Sequence, residues 1–476
     1  MNKVLTTPNK NIKKKSKKYQ KHHFDENQTK SKRQIFNSAV SLYSFTPDNV
    51  YHPTKELEIV KLIRQAAQNN QQVRAIGSLH SAAPIPATTG ICIVLDKYRN
   101  LVKIDGSLVT VQAGMKIWEL NEILAEHNLA LPTLGTIVQQ TVSGAISTGT
   151  HGGSLDCKSL SGYVHSLKLI KADGSVLEVE KSQDIFKAVI ISMGLLGIVS
   201  TITFDCVRAF SLQSKVSTLS IDNLIEQFDE IHHNNKYVDI RYSPITDKVQ
   251  IVKINPTLEA KENGGWHPVK KSKIEWQITD SINKLAQRLF NTHRLNWLQK
   301  WCIDRYDKTL YSSPYGRSDF VLTHFDATSD DLITNGDINH KELDPVADME
   351  IAIPYSHAKA ALTTLCSHFH QTRKYPSMNI HIRCSAAEDF WLSPAYGEAI
   401  CWIEFWEYPC TGKFFKEIVE VLKPFKFRCH WGKQIPVEHE YLKKQYEKWQ
   451  DFIQLREDWD SQGIFLNPCL KSYFYS

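Results

Sequence analysis

The stretch "VRAIGSLHSAAP" holds a histidine whose setting asks for chemistry. His80 follows Gly77, Ser78 and Leu79 and precedes Ser81 and a run of small side chains, so its imidazole stands where backbone can approach a ligand closely. A second stretch, "TVSGAISTGTHGGS" at 141–154, carries four Gly, three Ser and three Thr with one His and no charged side chain. Such a composition offers backbone N–H groups and hydroxyls to an anion, and a diphosphate is the natural target. Neither G-x-G-x-x-G nor G-x-x-x-x-G-K-[ST] occurs in it, so the usual phosphate fingerprints are missing. A tight buried turn would use the same residues.

The elements around these stretches are mixed α and β. Apolar residues at helical spacing predict a helix over 56–70, with Thr54 as its N-cap, and a second amphipathic helix over 116–128. Short strands are expected at 72–77, 91–96 and 108–114, and a hairpin over 164–180 with Asp173-Gly174 at its tip. The uncharged run "AVIISMGLLGIVSTITF" (188–204) imitates a membrane span, but its two Gly and its Ser and Thr residues break it into a buried helix end, a turn and a strand. Signals weaken between 215 and 345, where 255–273 reads as an exposed polar loop. Order returns with a strand and helix over 349–370 and strands at 377–386 and 399–408.

A chain of 476 residues is too long for one ordinary core, and its 42% apolar and 23% charged residues are those of a soluble globular protein. The net charge of +6 belongs to a tail: residues 1–34 carry eleven Lys and Arg against Asp25 and Glu26, which leaves the remainder mildly acidic. The tail lacks apolar periodicity and is expected to be disordered; its lysines could meet nucleic acid or another anionic surface. An acidic body without interleaved basic and aromatic residues argues against a nucleic-acid binder. Ten scattered cysteines without a C-x-x-C pair, and no apolar signal peptide, lead to the expectation of a reducing, cytoplasmic location. His368 and His370 diverge on a helix, so no metal site is expected there.

Taken in order, "VRAIGSLHS", "VTVQAGMKIWEL", "TVSGAISTGTHGG" and "MGLLGIVSTITF" resemble the FAD domain of the vanillyl-alcohol-oxidase superfamily. Within it the likeness is to the aldonolactone and alditol (xylitol-type) oxidases, whose second-domain signatures are similar to "AEDFWLSPAYGE" (387–398) and "CHWGK" (429–433). The resemblance implies an α+β fold: a PCMH-type two-subdomain FAD-binding domain over 46–212 and a second, substrate (cap) domain with an antiparallel sheet over 213–425. A C-terminal segment over 426–476 then returns to the flavin site, and 1–45 form the basic tail.

The same resemblance implies that FAD is bonded covalently through His80, with a departure at Leu79, where many relatives carry Gly. If that position takes positive φ, Leu strains the loop. Dinucleotide contacts are expected at Gly77, Ser78 and Ser81, at Ser143, Gly144, Ser147, Thr148, Gly149, His151 and Gly152, and at Ile198. Arg383 and Lys433 are the implied cations near flavin and substrate, stabilising charge on the reduced ring, and His430 approaches the isoalloxazine. Polyol oxidases of this branch carry Glu where this chain has His381, and a His-x-Thr pair where it has Glu404 and Trp406. Strand alternation puts His381 with Arg383, and Trp402 with Glu404 and Trp406, on common faces. The expectation is a Glu/His pair with its ends exchanged, the carboxylate favouring the imidazolium. The expected reaction is hydride transfer from a CH–OH group of a polyol or sugar lactone to flavin, with O2 as acceptor giving H2O2. A dehydrogenase with another acceptor, or a flavin-binding protein without polyol activity, stays open.

Overall fold

The structure, a computed structural model, describes residues 34–39, 41–258, 347–407 and 410–475, with the backbone of 315–317. The tail up to residue 33 and the polar loop beyond residue 258 lie outside the described residues.

Three strands form a parallel sheet in the order β1–β3–β2: β1 (Asn49–Tyr51), β2 (Val73–Ile76) and β3 (Ile91–Val94). Helix α1 (Glu56–Gln68) crosses over between β1 and β2 and buries Ile59, Val60, Leu62, Ile63 and Ala66, the apolar stripe visible in the sequence. Its start differs from the expected one. Lys55, not Thr54, holds the N-cap position, and the Glu58 carboxylate accepts from the backbone N–H of Thr54 (2.7 Å) and of Lys55 (3.2 Å). An acid in the first turn thus satisfies the donors that a threonine cap would have served.

A five-stranded antiparallel sheet follows, ordered β7–β6–β8–β5–β4, from β4 (Leu101–Asp105), β5 (Leu108–Gln112), β6 (Val164–Ile170), β7 (Val176–Glu180) and β8 (Ile198–Asp205). Between β5 and β6 lie α2 (Ile117–Glu126) and α3 (Val142–Thr148), and α4 (Asp184–Val189) precedes β8. The membrane-like run is a helix end, a turn and a strand, as expected, and among the described residues no helix is long and apolar enough to cross a membrane.

The larger sheet has eight strands and carries the second half. Its order is β12–β9–β11–β10–β14–β15–β13–β16. The strands are β9 (Ser211–Ser220), β10 (Tyr237–Ser243), β11 (Lys248–Thr257), β12 (Tyr315–Arg317), β13 (Ala347–Pro354), β14 (Ile380–Ser385), β15 (Ile400–Glu407) and β16 (Arg428–Cys429). One face is apolar, with Ile240, Tyr242, Met349, Ile351, Ile353, Ile380, Ile382, Ile403 and Phe405 buried under α5 (Ile221–His233), α6 (Ala358–Thr372) and α7 (Lys413–Leu422). The other face is polar and equally buried. Register sets Arg241 opposite His381, His381 opposite Glu404, and Glu404 opposite Glu350, one row across four strands.

Hydrogen bonds lace the two halves together. The N–H of Val238 donates to Gly153 O (2.7 Å), and that of Ala386 to Cys157 O (2.9 Å). Glu388, 4% exposed, accepts from the N–H and hydroxyl of Ser159 (2.7 and 2.6 Å) and from the Ser393 hydroxyl. Burial raises the Glu388 pKa, and these donors oppose that shift. Replacing Glu388 with Ala strands three buried donors, each worth about 1–3 kcal/mol when left unsatisfied. Glu388→Ala is therefore expected to lower the urea midpoint and Tm clearly, read by circular dichroism, while Glu388→Gln loses less.

Candidate active site

A cleft of about 1080 Å³, counted to its open mouth, runs between the parallel sheet, α3, the turn before β8 and the 430–433 loop. Of the residues singled out in the sequence, Gly77, Ser78, His80, Ser81, Ser143, Gly144, Ser147, Thr148, Ile198, His430 and Lys433 line it. Gly77 is there for space: a Cβ at that position would fall 2.2 Å from Thr141 Oγ1. The Thr141 oxygen caps α3 by accepting from the Gly144 N–H (3.3 Å).

Three of the expected contacts sit elsewhere. Gly149, His151 and Gly152 do not line the cleft. After α3 ends at Gly149, with φ +76°, the chain turns away and docks on the large sheet. A Cβ on Gly152 would meet Thr133 Oγ1 at 2.3 Å, so this glycine serves packing. The hydroxyls of Ser78, Ser143 and Thr148 donate to the carbonyls of Gln139 (2.6 Å), Ala113 (2.8 Å) and Gly144 (3.0 Å), which commits their protons inside the protein.

Leu79 adopts φ +56°, the conformation in which glycine is at ease. For a residue with a branched side chain this costs about 1–3 kcal/mol. The strain is held in place from both ends: the Leu79 side chain packs on the Phe45, Ile76 and Val94 cluster, and its carbonyl accepts from the Ala39 N–H (2.9 Å). Next to it, His80 faces the cleft, and the N–H of Ala82 donates to Gly432 O (2.8 Å), tying this loop to the one bearing His430 and Lys433.

Arg74 is 5% exposed in the cleft wall. Its Nη1 donates to Gly194 O (3.0 Å) and Phe465 O (2.9 Å), and its Nη2 to Met193 O (2.6 Å). Met193 and Gly194 both have positive φ, so the guanidinium fixes a turn that would otherwise open. Burial lowers its pKa to about 10, with the nearby Cys469 and Asp460 opposing.

Behind Lys433 lies the polar face of the large sheet. The Lys433 ammonium donates to Asp348 Oδ2 and to Glu404 Oε1 (2.8 Å). Arg383 Nη2 donates to Glu350 Oε1 (2.7 Å) and lies 3.5 Å from Glu404 Oε2. Burial works against both cations, yet the carboxylates around them hold each pKa above its usual value. Burial also opposes the Glu350 charge, but His151 and Arg383 keep its carboxyl well below the usual range. His151 stacks flat on Trp402 at 3.8 Å, and Trp402 Nε1 donates to Ser385 Oγ (2.8 Å).

His381 and Glu404 do meet, Nδ1 to Oε2 at 3.5 Å, but the expected imidazolium is overturned. Burial and then the Arg241 charge push His381 down to about 4, against Asp239 and Glu404. His430 is likewise neutral: burial takes it to about 3, and its Nδ1 accepts from the Gly432 N–H (3.0 Å), which places the proton on Nε2. Asp348, Glu350, Asp239 and Arg241 were missed from sequence. Their signal was alternation, as in "VDIRYS" and "ADMEIAIP", where charges recur every second residue within an apolar strand.

Residues 202–473, more than half of the chain, match the D-arabinono-1,4-lactone oxidase family, and residues 47–180 match the FAD binding domain. The chain belongs to the D-arabinono-1,4-lactone oxidase family. The L-gulono-1,4-lactone dehydrogenase of Mycobacterium tuberculosis is 29% identical over 88% of this chain and 94% of its own. The mouse L-gulonolactone oxidase is 27% identical over 92% of this chain and 98% of its own. The fold is that of a cholesterol oxidase from B. sterolicum, with TM-score 0.75 at 14% identity over 93% of this chain and 97% of that one.

The cleft of this lactone-oxidase-family chain fits FAD. No Asp or Glu is among its lining residues, Arg74 and Lys433 are, and both charges suit a dianionic diphosphate and a ring that gains negative charge. Gln140 Oε1, buried at the cleft, has no hydrogen-bond partner. The loops at 77–81, 143–148 and 193–199 would hold the dinucleotide. Arg74→Met should leave three carbonyls without their donor, costing about 1–3 kcal/mol for each that water does not reach. The expected result is a lower Tm and a reduced ratio of flavin absorbance to protein, and Arg74→Lys should rescue neither fully because an ammonium lacks the planar fork.

Proposed function

We infer that the protein is an FAD-dependent oxidoreductase that oxidises a CH–OH group of a sugar lactone, with O2 as acceptor and the flavin bonded through His80. The observation that carries this reading is the convergence of His80, His430 and Lys433 on one cleft, with paired buried carboxylates directly behind Lys433. The lactone is favoured over an open-chain polyol by the names of the relatives, and Trp406, whose ring lies 5.6 Å from the Lys433 ammonium, narrows the approach for a long chain. A reducing, cytoplasmic location is part of the same proposal.

Bound FAD supplies the acceptor for a hydride leaving the substrate carbon. The protein's part is to orient the hydroxyl and to hold charge. Lys433 presents a charged donor at the cleft, fixed from behind by Asp348 and Glu404. Arg383 keeps Glu350 ionised and faces Glu404 at 3.5 Å, and neutral His430 offers Nε2–H as a donor. Fixed donors of this kind stabilise developing negative charge without reorganising.

The M. tuberculosis relative, a dehydrogenase by name, favours a second reading with an acceptor other than O2. Bleaching of the flavin by L-gulono- and D-arabinono-lactones under anaerobic conditions, followed by admission of air, separates the two. Rapid reoxidation with peroxide formation supports the oxidase. Bleaching that persists in air but reverses with a dye supports the dehydrogenase, and no bleaching by any lactone removes the substrate reading. Acid-precipitated wild-type protein is expected to stay yellow and His80→Ala to release its flavin; colour wholly in the wild-type supernatant removes the covalent link. Lys433→Met is expected to keep flavin but lose two to three decades of reductive rate, the effect of about 2–4 kcal/mol of charge-assisted stabilisation.

A further inference from the structure

Among the described residues, the buried face behind the cleft holds a dense set of charges. Asp239, Asp348, Glu350 and Glu404 supply four carboxylates, and Arg241, Arg383 and Lys433 supply three cations. His151 Nδ1 lies 2.9 Å from Gly152 O and Nε2 3.2 Å from Glu350 Oε1. The buried trio of His151, Glu350 and His430 is unsuited to a metal ion, because Arg383 already donates to the Glu350 oxygen.

A desolvated set of paired charges responds to an added negative charge by taking up a proton where the proton is held most readily. A flavin held in the cleft would, on reduction, add negative charge to the space that Lys433 lines, and the two bonds of Lys433 to carboxylates are already made. Of the four carboxylates, Asp348 combines two features that favour a proton. Its Oδ1 is buried without a hydrogen-bond partner, while its Oδ2 is bonded to the one cation of the set that lines the cleft. The groups facing Asp348 are Lys433 from the 430–433 loop, Glu404 and Trp406 from β15, Glu350 from its own strand and the Cys410 thiol beyond β15. Burial raises its carboxyl to about 6, Lys433 opposing and Glu404 and Glu350 adding to the rise.

We propose that Asp348 is the proton store of this site, receiving the substrate's hydroxyl proton through Lys433 as the substrate is oxidised. A proton of the Lys433 ammonium passes to Asp348 Oδ2, which frees the Nζ lone pair, and the substrate O–H bond breaks as its proton takes that place on Nζ, so Lys433 ends as the ammonium it began as. The C–H hydrogen leaves with its electron pair for the bound flavin, a carbonyl forms, and the carbon has lost two electrons. Oxidised site and ionised Asp348 become reduced site and neutral Asp348. Asp348 touches Lys433 rather than the substrate, so it acts as a positioning and proton-holding residue.

This proposal rests on the flavoenzyme reading above but not on the identity of the substrate, and it is tested without one. The flavin of the holoprotein is reduced anaerobically by light or dithionite, at a pH above the Asp348 titration range, with a pH indicator present. Wild type should take up one proton more per electron pair than Asp348→Asn, and Asp348→Glu should restore it. In parallel, the reduced-minus-oxidised infrared spectrum of wild type should show a new protonated-carboxyl band that shifts when the protein is grown on isotope-labelled aspartate. This second readout needs no variant. A protein without flavin defeats the functional reading; a flavoprotein that reduces with no such band, or equal proton uptake in wild type and Asp348→Asn, overturns the proton store alone.

Discussion

Charge pairing inside the contact between the large sheet and the cleft is the constraint on which the site depends. Each ion taken out of water there costs several kcal/mol, and only well-placed partners offset it. Asp348, Glu350, Arg383, Glu404 and Lys433 therefore fix one another, and through them they fix the register of β13, β14 and β15. A slip of one residue would turn every charge into the apolar layer under α5, α6 and α7. The same pairs that position Lys433 at the cleft thus also specify how the sheet is assembled.

The first half reaches the cleft by a different principle. There backbone rather than side-chain charge does the shaping, through Gly77 against Thr141, the left-handed Leu79, and the turn at Met193 and Gly194 held by Arg74. Strain at Leu79 is tolerated because the side chain has an apolar cluster to enter and the carbonyl has a donor. One wall of the cleft is therefore set by close packing and the other by electrostatics, and His80 and Lys433 are brought together by two bonds between their loops, Ala82 N–H to Gly432 O and Gln434 Nε2 to Ala82 O.

Much of this was legible in the sequence where apolar periodicity and short motifs speak. Helices α1 and α2, the strands around His80 and the broken run at 188–204 follow from spacing, and the resemblance placed His80, His430 and Lys433 at one site. Strands β9 and β10 were not legible. Half of their positions are polar, and a buried polar face has the same letters as an exposed one, so "VDIRYS" read as weak signal although Asp239 and Arg241 are 1% and 2% exposed. For the same reason the charge on His381 was misjudged. Its partner Glu404 could be found by strand alternation, but the Arg241 guanidinium opposite it comes from a strand that the sequence did not reveal. The segment at 149–152 failed differently: its glycines serve close contacts with Thr133 and the large sheet, and composition alone does not say which neighbour a glycine is making room for.

The bonds that close the cleft span nearly the whole chain. Arg74 reaches Phe465 across 391 residues, and the amide of Asn467 donates to the carbonyls of Pro84, Ile85 and Ala87 on the far side of the His80 loop. A chain growing from its N-terminus makes the first wall early and cannot seat it until residues 464–467 have been made. Contacts of such long separation close slowly. Biosynthesis therefore imposes a waiting period in which the nucleotide-facing loops are present but open, and the cofactor's capture belongs to the end of folding rather than to its beginning.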